Sequence, residues 1–315
     1  MSIFISGSLA YDYIMDFPDS FKNHILPDQI HILNVCFTVD KLEKNFGGTA
    51  GNIAYTVKLL GGDPVLVSSL GTDAEEYLMY LEKQGISTKY THVSHGKLTA
   101  SAHITTDKDD NQITAFYNGA AGDAATPGVA DIKETPQLAI IGPTHKDIMM
   151  RHAKECFEKN IPIVFDPGQV MTALSPQELM LLIGQAKFLI GNDYEMKLLE
   201  EKTGWKGAAL FDHVDVLITT LGDHGSVIAK KDATIEVEPC PPRSADDPTG
   251  AGDAYRAGFF TAYVNGHDLK TCGQMGSVAA AYAIEHYGTQ NHRFTMEEFT
   301  QRYEETYREA LRLSV

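Results

Sequence analysis

Asp247, Pro248, Thr249, Gly250, Ala251, Gly252 and Asp253 form a turn of small residues that runs straight into Ala254 to Val264, a mostly apolar stretch long enough for a buried helix. That arrangement suits a phosphoryl group in transit. The first NH groups of a helix have no partner within the helix, the dipole places partial positive charge there, and glycines permit close approach. A carboxylate beside such a site repels an anion. Asp253 makes sense there as a base that takes a proton from a hydroxyl attacking phosphorus, with Gly250, Ala251 and Gly252 supplying the cradle. The plain alternative is an Asp or Thr cap on a glycine turn. A cap needs one such residue, not two glycines around Ala251 and a second acid.

Other constellations have the same flavour. Gly47, Gly48, Thr49, Ala50, Gly51 and Asn52 precede the first long helix and offer backbone NH groups with one side-chain amide, which polyols need. Asp12 follows the first apolar run and Gly7, where an ionised carboxylate can accept hydrogen bonds from two sugar hydroxyls. Ordinary turn and capping roles fit the glycine pair equally well. Asn192 and Glu195 open a helix directly after Phe188 to Ile190, so Glu195 can hold water on Mg2+ near phosphates, and the same spacing makes a capping box. Thr220, Gly222 and Gly225 follow Val214 to Thr219 and let backbone pass close to nucleotide phosphates; a hairpin turn into Ser226 to Lys230 is the rival reading.

The elements that position these residues alternate along the chain. Ile3 to Ser6, Pro64 to Leu70, Leu138 to Ile141, Ile163 to Asp166, Phe188 to Gly191 and Val214 to Thr220 read as strands buried on both faces. Gly51 to Leu60, ending at a Gly61 C-cap, His145 to Lys159, Ser175 to Ala186, Leu269 to His286 and Met296 to Leu313 read as helices. Such alternation predicts an α/β fold with a mostly parallel sheet. Two segments break the rhythm. Asp16 to Phe46 is long for a connection, with Cys36 to Leu42 partly alternating. Thr99 to Thr106 and Gln112 to Tyr117 alternate around a polar tip at Asp107 to Asn111. Together they predict a small sheet that closes over a substrate as a lid.

Composition sets the bounds. The chain has 315 residues, 43% hydrophobic and 22% charged, with 42 acids against 26 Lys and Arg and a formal charge of -16. That charge repels nucleic-acid backbones and anionic membrane surfaces, while a small nucleotide is still accessible through Mg2+ and local dipoles. Cys36, Cys156, Cys240 and Cys272 form no Cys-x-x-Cys pair, which fits a reducing cytoplasm. Met1 to Leu9 lacks a basic leader, and no run of about eighteen apolar residues exists. There is no Gly-x-x-x-x-Gly-Lys-Ser/Thr loop, no Gly-x-Ser-x-Gly elbow and no His-Glu-x-x-His helix. Tyr255 stands where a dinucleotide fingerprint wants glycine.

In chain order, Asp12, Gly47-Gly48 with Asn52, Asn192-x-x-Glu195, Thr220-x-Gly222-x-x-Gly225 and Asp247-x-Thr249-Gly250-Ala251-Gly252-Asp253 closely resemble the PfkB (ribokinase-like) kinases over nearly the whole chain. The resemblance implies a ribokinase-like three-layer α/β sandwich over residues 1–315, with a lid from about 13–46 and 97–118. It implies ATP-dependent phosphorylation of a primary hydroxyl. Asp253 is then the base and Gly250 to Asp253 the anion hole. Asn192 and Glu195 organise Mg2+, Thr220, Gly222 and Gly225 meet ATP, and Asp12, Gly47, Gly48 and Asn52 grip the sugar. Some members bind a monovalent cation such as K+ through groups matching Asp247 and Thr249. Phe17-Pro18, His24-Ile25-Leu26-Pro27 and Gly47 to Asn52 look most like bacterial adenosine kinase-like members, so the 5'-hydroxyl of adenosine or a related nucleoside is the expected acceptor. Phe37, Phe116 and Tyr117 are candidates to stack on its base. Adenosine kinases often carry Arg after the pair matching Asp110-Asn111, where this chain has Gln112. Free-sugar kinases of the ribokinase or fructokinase type and a non-catalytic nucleoside-binding protein are the alternatives. The expected partners are small molecules, in a monomer or homodimer.

Overall fold

Ser2–Ser6 forms β1, and its alternation sets the architecture: Ile3 and Ile5 join one apolar core while Phe4 joins another. The same split recurs along the neighbouring strands β4 (Asp63–Leu70), β8 (Leu138–Ile141), β9 (Ile163–Phe165) and β10 (Phe188–Asn192). Leu66, Ile140, Val164 and Phe188 enter the first core, and Val67, Ile141, Phe165 and Leu189 the second. Successive side chains of a strand point to opposite faces, so the sheet is buried on both sides. The computed structural model describes residues 2–26, 32, 34–109 and 111–311. Pro27 of the predicted lid segment, Asp110 beside Asn111, and Arg312 and Leu313 of the predicted last helix lie outside them.

The large sheet adds β5 (Tyr90–Val93) at one edge and β11 (Val216–Thr220), β12 (Ser226–Lys230) and β13 (Ala233–Val237) at the other. Its order is β13-β12-β11-β10-β9-β8-β1-β4-β5, parallel from β5 to β11 and antiparallel at β12 and β13. One face carries α1 (Thr49–Leu59), α2 (Glu75–Lys83), α6 (Ala251–Val264), α7 (Leu269–Ile284) and α8 (Met296–Tyr307). The other carries α3 (Lys146–Glu158), α4 (Pro176–Gln185) and α5 (Asp193–Thr203). The expected three layers are therefore present. α2, β5 and β13 are elements that the apolar pattern did not reveal; α2 turns only Tyr77 and Leu81 fully inward.

β2 (Ala10–Asp16), β3 (Lys41–Gly47), β6 (Ala100–Thr106) and β7 (Gln112–Tyr117) make a second sheet, ordered β3-β2-β6-β7. The β6–β7 tip is closed by Asp107, which accepts the backbone NH groups of Asp109 and Asn111. The strand suggested by Cys36 to Leu42 instead begins at Lys41. Phe37 is drawn off into a cluster with Phe17 and Phe21, at ring-centroid distances of 4.8 and 5.0 Å, so packing overrides the local alternation. Among the described residues, no helix is long and apolar enough to cross a membrane.

Candidate active site

The carboxyl ends of the parallel strands share one rim, the usual place for a ligand in an open α/β sheet. Asp166 directly follows β9, and Asn192 at the end of β10 pairs in register with Thr220 at the end of β11. α5 starts there with its NH groups occupied. Asn192 Oδ1 accepts the Glu195 NH at 2.8 Å, and Glu195 Oε2 accepts the Asn192 NH at 2.9 Å. The capping box is thus present, and Glu195 holds it from within the cleft wall.

α6 begins differently. Its N-cap is Gly250 at φ 81°, and no side chain caps the turn. A Cβ at Gly250 would press on Thr289 at about 3.0 Å as well as strain the backbone. Asp247 fixes the loop before it, one oxygen accepting the Thr249 NH at 2.9 Å and the other the Gly288 NH at 3.0 Å. Thr249 itself is exposed. Asp253, in the first turn, accepts a hydrogen bond from Asn52 Nδ2 at 2.8 Å, which joins the start of α6 to the start of α1.

One helical turn beyond Asp253 lies Arg256, whose Nη2 donates to Asp166 Oδ1 at 3.0 Å and whose Nη1 donates to the Gly252 carbonyl at 2.9 Å. Its Nε also faces Asp166 Oδ2. Arg256 is 7% exposed and Asp166 1%, so this is a buried ion pair. A buried charge is tolerable only when paired and hydrogen-bonded. Arg256 therefore balances a pocket that also holds Asp253 and Glu195. Burial pushes the Asp253 carboxyl up to about 6; Arg256 and the Asn52 amide oppose that rise, while Asp166 and Glu195 add to it. Burial also raises Glu195, with Asp166 adding and the Asn192 NH opposing.

Asp12 enters from β2. Burial, then the charges of Asp253 and Asp247, push it up to about 7, so the smaller sheet brings a third carboxyl toward the same cleft. Gly47 lies under its carboxylate, where any Cβ would collide with Oδ2. Gly48, at φ 87°, turns the chain into α1. Asn45, Asp12, Ala102 and Phe116 form one rung across the smaller sheet and so share a face. Phe116 is 53% exposed on that face, two strands from Asp12. Tyr117 points to the opposite face and Phe37 is spent on Phe17 and Phe21, so of the three aromatic candidates only Phe116 shares the Asp12 side. The Gly222–Gly225 segment is a tight turn in a hairpin, with Leu221 NH donating to the Gly225 carbonyl at 2.8 Å. Gly225 is required there because a Cβ would strike the Val237 carbonyl; Gly222, at φ 61°, faces open space.

Asp253, Asn52, Asp12, Asp247, Glu195 and Gly250 thus converge, and Asn192 with Thr220 flanks them along the rim. Asp166, Arg256 and Gln290 escaped the sequence reading. A carboxylate ending an apolar strand and a cation inside an apolar helix were visible signals for the first two. Gln290 gave none, since it sits in a loop after α7 and reaches Asn52 across 238 positions.

Comparison with known proteins agrees with this fold. A profile of pfkB family carbohydrate kinases matches residues 23–295. The nucleoside kinase of Methanocaldococcus jannaschii is 33% identical over 300 residues, covering 95% of each chain. The structure of Burkholderia thailandensis nucleoside kinase in complex with inosine superposes with a TM-score of 0.90 at 37% identity, covering 98% of this chain and 99% of that one. The same enzyme in complex with ADP-inosine gives a TM-score of 0.89 at 38% identity, covering 100% and 98%. With its motifs in order on one cleft and likenesses of this extent, the chain belongs to the pfkB family of carbohydrate kinases.

Proposed function

We propose that this chain is an ATP-dependent nucleoside kinase that phosphorylates the 5'-hydroxyl of adenosine or a related purine nucleoside. The observation that carries this reading is a proton acceptor set in an open helix start: Asp253 lies in the first turn of α6, where no side chain occupies the backbone NH groups. The relatives named nucleoside kinase, one of them solved with inosine, support a nucleoside as acceptor.

In this reading Asp12 and Asn52 hold the ribose, over the close backbone of Gly47 and Gly48. The 5'-hydroxyl gives its proton to Asp253, its oxygen forms a bond to the γ-phosphorus, and the bond from that phosphorus to the bridging oxygen of ADP breaks. Charge that grows on the phosphoryl oxygens meets the NH groups of Ala251, Gly252 and Asp253 and the dipole of α6. A carboxyl held near 6 is ionised at neutral pH yet basic enough to accept the proton. Asn192, Thr220 and Gly222 line the path of the ATP phosphates, with Gly225 shaping the turn, and Phe116 offers its ring to the base.

Among the described residues no group of three or more His, Cys, Asp or Glu could hold a metal by itself. Mg2+ suits such a site, since it keeps several waters and binds through one or two carboxylates together with phosphates. Glu195, whose second carboxylate oxygen is left over from the capping box, would hold the ion through water, and the ion would supply neutralisation of phosphate charge; Asp166 is already engaged by Arg256 through both oxygens. Asp247 is buried, satisfied only by two backbone NH groups, and among the described residues has no basic side chain in ion-pair contact. That donor set fits a monovalent cation such as K+ held by Asp247 and the Thr249 loop.

Coupled ADP release with adenosine, inosine, ribose and fructose as acceptors tests the reading. Turnover is expected with the nucleosides and little with the free sugars. Asp253→Ala is expected to lower it by roughly 10²–10⁴-fold with the fold retained. Near-normal turnover by that variant, or preference for a free sugar, overturns the assignment.

A further inference from the structure

Asp253 stands at one end of a buried chain of hydrogen bonds whose other end is the backbone of Gly47. Asn52 Nδ2 donates to Asp253 Oδ2 at 2.8 Å, and Gln290 Nε2 donates to Asn52 Oδ1 at 2.9 Å. The second hydrogen of Gln290 Nε2 goes to the Tyr77 hydroxyl at 2.8 Å, and that hydroxyl donates to the Gly47 carbonyl at 2.6 Å. Both termini are obligate acceptors, a carboxylate and a carbonyl. The direction of every link is therefore dictated. Tyr77, having given its proton to Gly47, can only accept from Gln290, so Gln290 must turn its nitrogen inward, and Asn52 must then turn its oxygen to Gln290 and its nitrogen to Asp253.

The surroundings are built around this chain. Gly51 lacks a side chain where a Cβ would strike the Tyr77 hydroxyl and lie 2.9 Å from Gln290 Nε2. Gln290 is 1% exposed and Tyr77 is fully buried, so water cannot replace either partner. Among the described residues Gln290 Oε1 has no hydrogen-bond partner, and it is buried, so the residue keeps its nitrogen inward although its oxygen goes unsatisfied. An unsatisfied buried acceptor is costly unless the alternative orientation is worse.

We infer that Gln290 is a positioning residue for phosphoryl transfer: with Tyr77 behind it, it locks the Asn52 amide so that a donor, not an acceptor, faces the Asp253 carboxylate. This rests on Asp253 being the base. A free asparagine can rotate and present its oxygen, which favours the protonated, inactive acid. Gln290 closes that option, so the base is ready in its ionised form before substrate arrives. Other charged groups face Asp253 as well: Asp12 from β2, Asp166 after β9, Glu195 from α5 and Arg256 from α6. Among the described residues none of them is hydrogen-bonded to Gln290 or Tyr77, although Asp12 faces Tyr77 through space, so Gln290→Met is the cleaner of the two changes.

The test is the pH dependence of kcat/KM for Gln290→Met, Tyr77→Phe, Asn52→Ala and the Asn52→Ala/Gln290→Met double variant, with Asp253→Asn in parallel. Loss of one charge-assisted hydrogen bond is expected to move the acid limb of Gln290→Met upward by about one pH unit. Tyr77→Phe moves it in the same direction by less, and carries the test if the Gln290 variant does not fold. In the Asn52→Ala background the Gln290 change moves the limb no further, because its route to Asp253 is gone. An unmoved limb in both single variants, or an undiminished shift in the double variant, overturns the inference while leaving the base in place. Substantial turnover by Asp253→Asn removes the base and this inference with it.

Discussion

Two helices start on the same rim of the sheet and start in opposite ways. α5 is closed by its own side chains, Asn192 and Glu195 exchanging hydrogen bonds with each other's NH groups. α6 starts at a left-handed glycine with no side-chain cap, although Asp253 stands at the third helical position, where a capping box places its acid. Asp253 instead takes a hydrogen bond from Asn52 on another helix. Closing a helix start is worth about 1 kcal/mol, so leaving one open is a cost to the fold. What the fold gives up at α6 is what the proposed phosphoryl transfer would use: NH groups with no side-chain cap, aligned with a dipole, Ala251 making only a long 3.3 Å bond to the Pro248 carbonyl. In the proposed reading the two starts divide the labour, one holding the wall and the other holding charge.

Changing the open start should affect turnover most. Gly250→Ala adds a Cβ at φ 81° and against Thr289, so the first turn of α6 must shift. Displacing an oxyanion-type donor costs roughly 10²-fold in kcat, while backbone strain of about 1–3 kcal/mol lowers the thermal midpoint only modestly. Steady-state kinetics beside a melting curve checks both. If kcat survives while the midpoint falls, α6 is an ordinary helix and the contrast with α5 means nothing for chemistry.

The closed start should respond in the other direction. Asn192→Ala removes the cap and is expected to lower the thermal midpoint by about 2–4 °C. Asn192→Ser keeps a capping oxygen and should restore most of that loss. Because Asn192 also stands beside Thr220 at the strand ends, the apparent KM for ATP should rise several-fold in both variants. A serine variant normal in stability and in KM would reduce Asn192 to a cap.

The sequence made the two starts legible for a reason that does not extend to the rest of the cleft. Caps, glycine turns and apolar strands are local, and their partners lie within a few positions; Asn192 with Glu195 and Gly250 with Asp253 are of this kind. Parallel strands buried on both faces read as plain apolar runs, which is why β1, β4, β8, β9 and β10 were visible. β2 was not, because Ala10-Tyr11-Asp12-Tyr13-Ile14 packs one aromatic face on α2 and turns the other to the cleft, which breaks the expected alternation. The pair of Arg256 and Asp166 spans 90 positions and that of Gln290 and Asn52 spans 238. Contacts of that reach leave no period or spacing in the chain, and only the folded sheet brings their members together. Phe37 failed for the same reason, its alternation in sequence being outweighed by two rings from a preceding turn.

The smallest expected effect comes from Asp12, which faces the open start across the cleft and shares its cost. Its folded value of about 7 lies above the ordinary carboxylate range, mainly through burial, with Asp253 and Asp247 adding repulsion. Between that ordinary range and pH 7 the folded protein therefore holds a proton that the unfolded chain has released, so stability falls as pH rises through this window. Asp253 contributes with the same sign up to about 6. Asp12→Asn removes one of these acids. Asp12 is mostly buried but keeps some exposure, and solvent screens it to that extent, so the gain should be about 1 kcal/mol or less, or about 1–2 °C in midpoint, at pH 8, and should vanish near pH 4. In the proposed reading two ribose hydroxyls donate to the carboxylate and offset the repulsion that destabilises it, so nucleoside should stabilise the wild-type protein more than the variant. A midpoint gain equal at both pH values would mean that Asp12 is not held against its charge, and that the cleft acts on sugar through some other group.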